Sequence, residues 1–320
     1  MRVCRFGIVF CCFAFWTPSA PAQWAPDATV RIVVPFAAGG PGDILMRLLA
    51  EHITSKTKQT IIIESRPGAG SIIGTEAVLR SPPDGTTLLL VANSFLINAN
   101  LKSRLSYDPL TSFAPICLLA YSPLILAVNA RSHYLSFDQL LSAARGSQNG
   151  ISIGATGPNT TQHVAIEAIA QAAGAQITFV PFRGGPDATG SLRGDHITAV
   201  LANYADLKAH LGTELRALAV GSRDRLADLA DVPTFSEVGF GEVDGVAWIG
   251  LVLPAATPEV LVTRIASHFR SALQAPEVGA KLTALEFKAA GQCGAEFGTY
   301  LRQENARIAR VIKASNMKGD

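Results

Sequence analysis

The sequence predicts an α/β fold of two units, each a mostly parallel sheet flanked by helices. Short apolar, β-branched strands alternate with segments of helical periodicity, and the alternation begins anew near residue 124. Hydrophobic residues make up 48% of the 320 residues and charged residues 16%. This composition provides ample apolar surface for a core and excludes a disordered chain.

The elements follow one another with clear boundaries. Thr29 to Phe36 is β-branched, apolar and bounded by a Gly/Pro cluster, which indicates a buried strand. Asp43 to Ser55 has apolar residues at helical spacing. Further strands are predicted at residues 60–64, 86–92, 124–128, 150–155, 177–181, 197–201, 215–220 and 248–253, and helices at residues 71–80, 136–144, 161–173, 186–193, 204–211, 258–273 and 295–314. Continuous apolar strands separated by helices indicate parallel sheets covered on both faces.

The N-terminal segment has the three parts of a secretory signal peptide. Arg2 and Arg5 precede the apolar run Phe6 to Trp16, which is too short to span a bilayer. Small residues follow, and Ala20-Pro21-Ala22 fits a cleavage site. We therefore expect residues 1–22 to be removed after Ala22 and the mature protein to act outside the cytoplasm.

After removal of the signal peptide, the mature chain is formally neutral and retains two cysteines. The two arginines of the signal peptide account for the excess of 27 basic over 25 acidic residues, and no Lys/Arg cluster suggests nucleic-acid binding. Cys117 and Cys293 are the cysteines left after cleavage. An oxidising compartment permits one disulfide. However, the apolar run 116–119 favours Cys117 as a small core residue, so the pairing stays open.

Two glycine-rich loops each join a strand to a helix. In residues 35–43 (PFAAGGPGD), Gly39 and Gly40 let the backbone approach a ligand, and Asp43 can cap the helix. Free N–H groups at the helix start suit an anion, although a purely geometric turn is the alternative. Residues 66–74 (RPGAGSIIG) approach a dinucleotide fingerprint. No acidic residue for a ribose follows the next strand, which disfavours a dinucleotide-binding enzyme.

Polar residues also end the strands of the second unit. Asn159, Thr160 and Thr161 can either cap a helix or donate to a ligand, with His163 close by. Arg183 and Asn203 follow the next two strands, at the edge where open α/β sheets bind ligands. Motifs of nucleophilic or metal-dependent catalysis are missing from the sequence, and the six histidines share no ligand spacing. We therefore predict a protein that is not an enzyme and that uses no metal or cofactor.

Nine ordered motifs resemble the solute-binding receptors of tripartite tricarboxylate transporters, the Bug receptors of Bordetella and its relatives. The resemblance extends over the whole mature chain. It is carried by Val33-Val34-Pro35-Phe36 with Gly39-Gly40 and Asp43, Glu64-x-Arg66-Pro67-Gly68-Ala69-Gly70 with Gly74, Pro83-Asp84-Gly85-x-Thr87-Leu88-Leu89, Tyr107-Asp108-Pro109, Phe113-Ala114-Pro115, Val180-Pro181-Phe182-Arg183-Gly184, Leu215 to Val220, Asp231-Val232-Pro233-Thr234 and Pro254-x-x-Thr257-Pro258.

The resemblance implies a type II-like periplasmic binding protein fold with two crossover strands. It places domain one at residues 24–124 plus 223–320 and domain two at residues 125–222. The implied function is capture of a small organic carboxylate in the interdomain cleft and delivery to membrane transporter subunits, with a sensor system as the alternative recipient. The implied ligand-binding residues are Phe36, Gly39, Gly40, Asp43, Gly70, Ser71, Gly74, Asn93, Asn159, Thr160, Thr161, His163, Phe182, Arg183, Gly184 and Asn203.

One departure from the family pattern bears on the ligand. The family usually has an Asp-Asn pair at the end of the last strand of domain two, and here the pair is Ala202-Asn203. An acidic partner for an ammonium group is therefore missing from that position. On this basis the sequence favours a ligand without an amino group.

Overall fold

The computed structural model describes residues 28–146, 150–241, 243, 246–315 and 317. The expected signal peptide and its cleavage site lie outside these residues. In the described part, the strands in chain order are β1 (Val30–Val34), β2 (Ile61–Ser65), β3 (Thr87–Ala92), β4 (Phe113–Asn129), β5 (Ile151–Thr156), β6 (Ile177–Phe182), β7 (Ala199–Asn203), β8 (Leu215–Gly221), β9 (Val246–Pro254) and β10 (Lys288–Cys293).

Helices cover the faces of the sheets. They are α1 (Pro41–Thr57), α2 (Ile72–Leu79), α3 (Asn93–Leu101), α4 (Phe137–Gly146), α5 (Thr161–Ala173), α6 (Gly185–Arg193), α7 (Tyr204–Leu207), α8 (Glu259–Gln274), α9 (Pro276–Ala284) and α10 (Ala295–Ala314). No helix within the described ranges is both long and apolar enough to cross a membrane.

The strands form two sheets of matching design. In the first sheet, β1 pairs in parallel with β2 and β3. Strand β9 pairs antiparallel with β3 and with β4, and β10 pairs antiparallel with the other side of β4. In the second sheet, β5 pairs in parallel with β6 and β7. Strands β7 and β8 each pair antiparallel with β4. Each sheet is therefore mixed, with a parallel triplet whose central strand comes first in sequence. This confirms the predicted α/β class, but the sheets are mixed where mostly parallel sheets were expected, because β4, β8, β9 and β10 pair antiparallel.

Strand β4 belongs to both sheets. Residues 113–123 pair with β9, and residues 124–129 pair with β7 and β8. The sequence predicted a strand only at 124–128, after a separate apolar run at 116–119. Pro115 and Pro123 obscured the continuity because proline is usually excluded from central strands. Here Pro115 lies at a register shift and Pro123 lies where the pairing partners change, so the missing N–H groups are tolerated.

The register of β4 orients the two parallel triplets. Ala92, the last residue of β3, pairs with Ile249 of β9, and Ile249 pairs in turn with Ala120 of β4. Asn203, at the end of β7, is level with Leu124. The carboxyl edges of both triplets therefore point toward each other along β4, separated by about 13 Å of strand.

The return crossing has a different form from the first. Strand β8 ends at Gly221 opposite Leu124, and β9 begins at Val246 opposite Pro123. Between them the chain leaves β4, forms a short 3-10 turn at Ala227–Leu229 and comes back beside β8 through the Val220–Thr234 bridge. The second crossing thus consists of two strands that meet adjacent residues of β4, interrupted by residues 222–245.

The hydrophobic core is continuous between the two sheets on one side of the molecule. Helix α10 packs against α3 of the first sheet and α5 of the second. Its buried residues Phe297, Leu301 and Ile308 join one apolar cluster that includes residues of both sheets. Full burial of such side chains contributes about 1.5–3 kcal/mol each to folding. Helix α10 therefore joins the apolar cores of the two halves on this side of the molecule.

Three elements were absent from the sequence-based prediction. Helix α3 contains three asparagines, which are poor helix formers, but burial of Phe95, Leu96 and Ile97 overrides that preference. Helix α9 follows α8 after a single residue and was not separated from it. Strand β10 is rich in Ala and Gly, and its pairing with β4 determines its conformation.

The structure resolves the open question about the cysteines. Cys117 and Cys293 form a disulfide between β4 and β10, where they lie directly opposite each other. Both residues are buried, so Cys117 is a core residue and a disulfide partner at once. Because 176 positions separate the two in the chain, only the strand pairing brings them together.

The disulfide predicts a measurable loss of stability when it is removed. Cys293→Ser should lower the free energy of unfolding by about 2–4 kcal/mol, because the cross-link restricts the unfolded chain over a long loop. Urea denaturation of the mature protein gives the value. Wild-type protein unfolded in the presence of a reductant serves as the control and should approach the variant. Equal midpoints for oxidised wild type and variant would contradict the prediction.

Candidate functional site

The loop after β1 is organised by a buried carboxylate. Asp43 is only 3% exposed, and its side chain accepts hydrogen bonds from the Gly39 N–H at 3.0 Å and from Arg47 Nε and Nη2 at 2.8 and 3.0 Å. Hydrogen bonding from Arg47 lowers the pKa of Asp43 below its usual value, against the opposing effect of burial. As a ligand-binding side chain Asp43 is thus already engaged, and its observed role is to shape the loop and neutralise Arg47.

Helix α1 starts at this loop, directly after the carboxyl end of β1. Gly40 is the N-cap residue, with an ordinary φ of −74°, and Pro41 opens the helix without an N–H group. The following amides of Gly42 and Asp43 belong to the first turn and have no intrahelical acceptor. They form, with the helix dipole, a site that favours an anion.

The loop after β2 holds four consecutive residues with positive φ. Gly68, Ala69, Gly70 and Ser71 have φ values of 136°, 47°, 63° and 83°. For the non-glycine residues Ala69 and Ser71 such backbone costs about 1–3 kcal/mol each, and it persists only where the surroundings impose it. Successive amides in a turn of this kind form a concavity suited to an anion.

Helix α3 imposes this conformation. Asn98 donates from Nδ2 to the Gly70 carbonyl at 2.6 Å, and the hydroxyl groups of Ser71 and Ser94 are 3.0 Å apart. Because the sequence did not predict α3, it missed Ser94 and Asn98 as supports of the site. The polar residues that directly follow β3 were the feature that could have revealed them.

Two further predicted positions have internal roles. Gly74 is buried against the first loop, where any Cβ atom would be 2.8 Å from Pro35 Cβ. Asn93 is 2% exposed, donates to the Val246 carbonyl at 3.2 Å and accepts from the Trp248 N–H at 3.0 Å. Gly74 therefore permits close packing of α2, and Asn93 ties the end of β3 to the start of β9.

On the second sheet, the loop after β5 forms a helix cap. Thr160 accepts from the His163 N–H at 3.3 Å and donates to the Thr156 carbonyl at 2.9 Å. His163 accepts from the Asn159 N–H at 3.2 Å, and its ring stacks on Phe179. Thr161 is buried in the first turn of α5. Of the two roles that the sequence left open, the structure shows helix capping for Thr160.

The remaining predicted residues lie at the ends of β6 and β7. The Phe182 carbonyl accepts from the Gly157 N–H at 2.9 Å, which joins this loop to the preceding one. Gly184 caps α6, and Arg183 is exposed. Asn203 donates to Asp206 Oδ2 at 3.4 Å, and burial raises the pKa of Asp206. The sequence did not single out Asp206, which the topology brings to this cluster.

Helix α7 connects the second sheet to the first. Lys208 lies just after α7, and its Nζ is 2.6 Å from Glu286 Oε1, in the segment before β10, and 3.0 Å from Asp228 Oδ2. Tyr204 donates to Asp228 at 3.1 Å, and burial raises the pKa of its phenol to about 12. These contacts link Tyr204 and Lys208 to the segment before β10 and to the segment after β8.

A separate cavity of about 740 Å³ lies beside the crossing strands. Residues from β4, β10, α10 and the segment 222–246 line it, and none of the predicted ligand-binding residues does. Its charged groups are largely paired, as in Arg225 with Glu237 and Lys288 with Asp224. Among the described residues, no group of three or more His, Cys, Asp or Glu side chains could hold a metal ion. The convergent backbone amides make the sheet edges the better candidate for a ligand site.

The role assigned to Asp43 predicts a pH-dependent effect. Asp43→Asn should lower the free energy of unfolding by about 1–2 kcal/mol near neutral pH, because the exposed Arg47 and the Gly39 N–H lose an ionised acceptor. The pKa of Asp43 is lowered by folding, so its contribution is complete above the usual value of 3.8 and is lost as the pH falls through the folded value. Urea denaturation at about pH 7 and about pH 3 should show the difference shrinking in acid. A difference independent of pH would contradict the assignment.

Relatives of known sequence align with most of the chain. A protein encoded in the tcbD–tcbE intergenic region of a Pseudomonas species is 30% identical over 297 residues, covering 92% of this chain and 86% of the relative. Protein BugT of Bordetella pertussis is 28% identical over 260 residues, covering 80% of each chain. These relatives confirm the resemblance to the Bug receptors.

Solved structures share the fold. A Rhodopseudomonas palustris protein with adipate has a TM-score of 0.78 and 27% identity, covering 91% of this chain and 98% of its own. MatC from the same organism, with bound malate, has a TM-score of 0.75 and 25% identity, covering 89% and 98%. The periplasmic binding protein BugD gives a TM-score of 0.77.

The family profile agrees with these likenesses and with the geometry of the two facing sheet edges. It matches residues 45–317, which include most of both sheets and all of their flanking helices except the first turn of α1. The chain belongs to the tripartite tricarboxylate transporter receptor family, a family of solute-binding receptors.

Proposed function

We propose that the protein is a periplasmic receptor that captures a small carboxylate between its two sheets and delivers it to a tripartite tricarboxylate-type membrane transporter. One observation carries the proposal: the carboxyl edges of both parallel triplets point toward each other along β4. Ligands of open α/β sheets bind at such edges. The signal peptide expected at residues 1–22 supports the periplasmic location.

The related structures support a carboxylate as the ligand class. The Rhodopseudomonas palustris relatives are described with malate and with adipate, both of which are carboxylates. In this chain, the start of α1 and the loop 68–71 offer amide groups at one sheet edge. Backbone amides and a helix dipole bind a carboxylate group without specifying the rest of the molecule.

The two halves are proposed to close on the ligand. Domain one comprises residues 24–124 and 223–320, and domain two comprises residues 125–222. The chain crosses between them along β4 and again from β8 to β9, which permits a hinge motion. A ligand favours the closed form only by the additional contacts made there, so both sheet edges must touch it.

The function is tested by measuring binding and closure together. Calorimetry with adipate, malate and monocarboxylates detects binding, and small-angle scattering of the same samples detects a smaller radius of gyration on closure. Native mass spectrometry of protein purified from its host identifies any ligand carried along. Failure of every carboxylate to bind, or a host ligand without a carboxylate, would contradict the proposal.

The amide site predicts a sharp effect of one side chain. Gly40→Val should weaken carboxylate binding by at least about 100-fold, because branched methyl groups would stand where the ligand approaches the α1 amides. The φ of −74° suits valine, so the melting temperature should change little, although the new Cβ would be 3.2 Å from the Ala37 carbonyl.

The control for this variant is Gly279→Val in α9, a helical position with open space around it and remote from both edges. It should bind like wild type. Gly70 is a poorer probe, since valine at φ 63° would strain the loop itself. Wild-type affinity in the Gly40 variant would refute carboxylate binding at this loop.

A further inference from the structure

The second sheet edge contains a carboxylate at its centre. Asp206 extends from α7 toward the start of α6, where its Oδ2 atom occupies the space that a side chain at Gly185 would need. The same oxygen accepts from Asn203 at the end of β7. Asp206 therefore lies where the loops after β6 and β7 meet, which makes it part of the candidate site.

The neighbouring contacts establish which way this group faces. Tyr204 and Lys208, on another side of the same short segment, bind Asp228 and Glu286. Glu286 belongs to the half of the chain that forms the first sheet. The segment thus contacts the other half of the chain through Tyr204 and Lys208, while Asp206 contacts the loops that end β6 and β7.

The charges at the two edges differ in sign. At the first edge, Arg47 neutralises Asp43, and the free amides of α1 favour an anion. At the second edge, the start of α6 already has Asp206 against it and Asp187 in its first turn. Arg183 is the cationic side chain of that loop, and it is exposed. A second carboxylate placed beside Asp206 would meet like charge in a half-buried setting, which costs binding energy.

We propose that Asp206 determines ligand specificity. It selects carboxylates whose opposite end carries an ammonium or another N–H donor, and it disfavours dicarboxylates. This inference rests on the proposed capture of a carboxylate by the first edge. It reverses the expectation from the sequence, which favoured a ligand without an amino group because Ala202 stands where an acid is usual. Asp206 supplies that acid from the following helix.

Matched ligands test the inference directly. Glutarate and γ-aminobutyrate share one chain length, as do adipate and δ-aminovalerate, and the members of each pair differ only at one end. Calorimetry on the mature wild-type protein should give at least about 10-fold tighter binding of the amino member of one pair, equivalent to about 1.4 kcal/mol. Asp206→Asn should bring that ratio within about twofold or reverse it, because the repulsive charge is gone while the shape is kept.

Asp138→Asn is the matched control, since it removes an exposed acid from the first turn of α4, outside the loops that end β5, β6 and β7, and it should retain the wild-type ratio. Equal or tighter binding of the dicarboxylates by wild type, or an unchanged ratio in Asp206→Asn, would overturn the specificity role and leave carboxylate capture intact. Absence of binding for all four probes and for butyrate and benzoate would overturn both.

Discussion

The sharing of β4 between two sheets is the constraint on which the rest of the structure depends. Its outer parts are buried and paired on both sides, so neither sheet can shift relative to it without breaking a ladder. Tyr121 and Ser122, in the middle, are only half-buried, and Pro123 offers no N–H to the ladder. The backbone of β4 is thus well constrained within each sheet and least constrained at residues 121–123, where a hinge would bend.

At the first sheet edge, the proposed anion site is built from backbone. Glycines and strained residues place amides at the edge, and the cost of that strain is met by contacts from outside the loop. Asn98 and Ser94 of α3 hold the loop after β2, and the Asp43–Arg47 pair holds the loop after β1. Asp43, a side chain that was expected to contact a ligand, is therefore engaged in positioning the amides.

In the proposed ligand site, the two edges contribute different chemistry. Backbone amides bind a negatively charged group without distinguishing which molecule carries it. Asp206 and Asn203 instead offer a charged side chain and an amide side chain in fixed positions. Recognition of a carboxylate and discrimination among carboxylates can in this way be separated between the halves. The Lys208–Glu286 pair links the halves beside the site, at an exposure where an ion pair contributes little energy but orients the segment.

Local patterns in the sequence determined the α/β class, most strands and helices, the two glycine-rich loops and, through ordered motifs, the family. These features depend on hydrophobic periodicity and on turn residues, both of which can be recognised within short stretches of the chain. The tertiary structure alone decided that 113–129 is one strand, that Asn-rich residues 93–101 form a helix, and that Cys117 pairs with Cys293. It also decided that Asp206 stands beside Asn203 and Gly185. Each of these depends on contacts between residues distant in sequence, or on burial that overrides local preference, and no short window of residues contains that information.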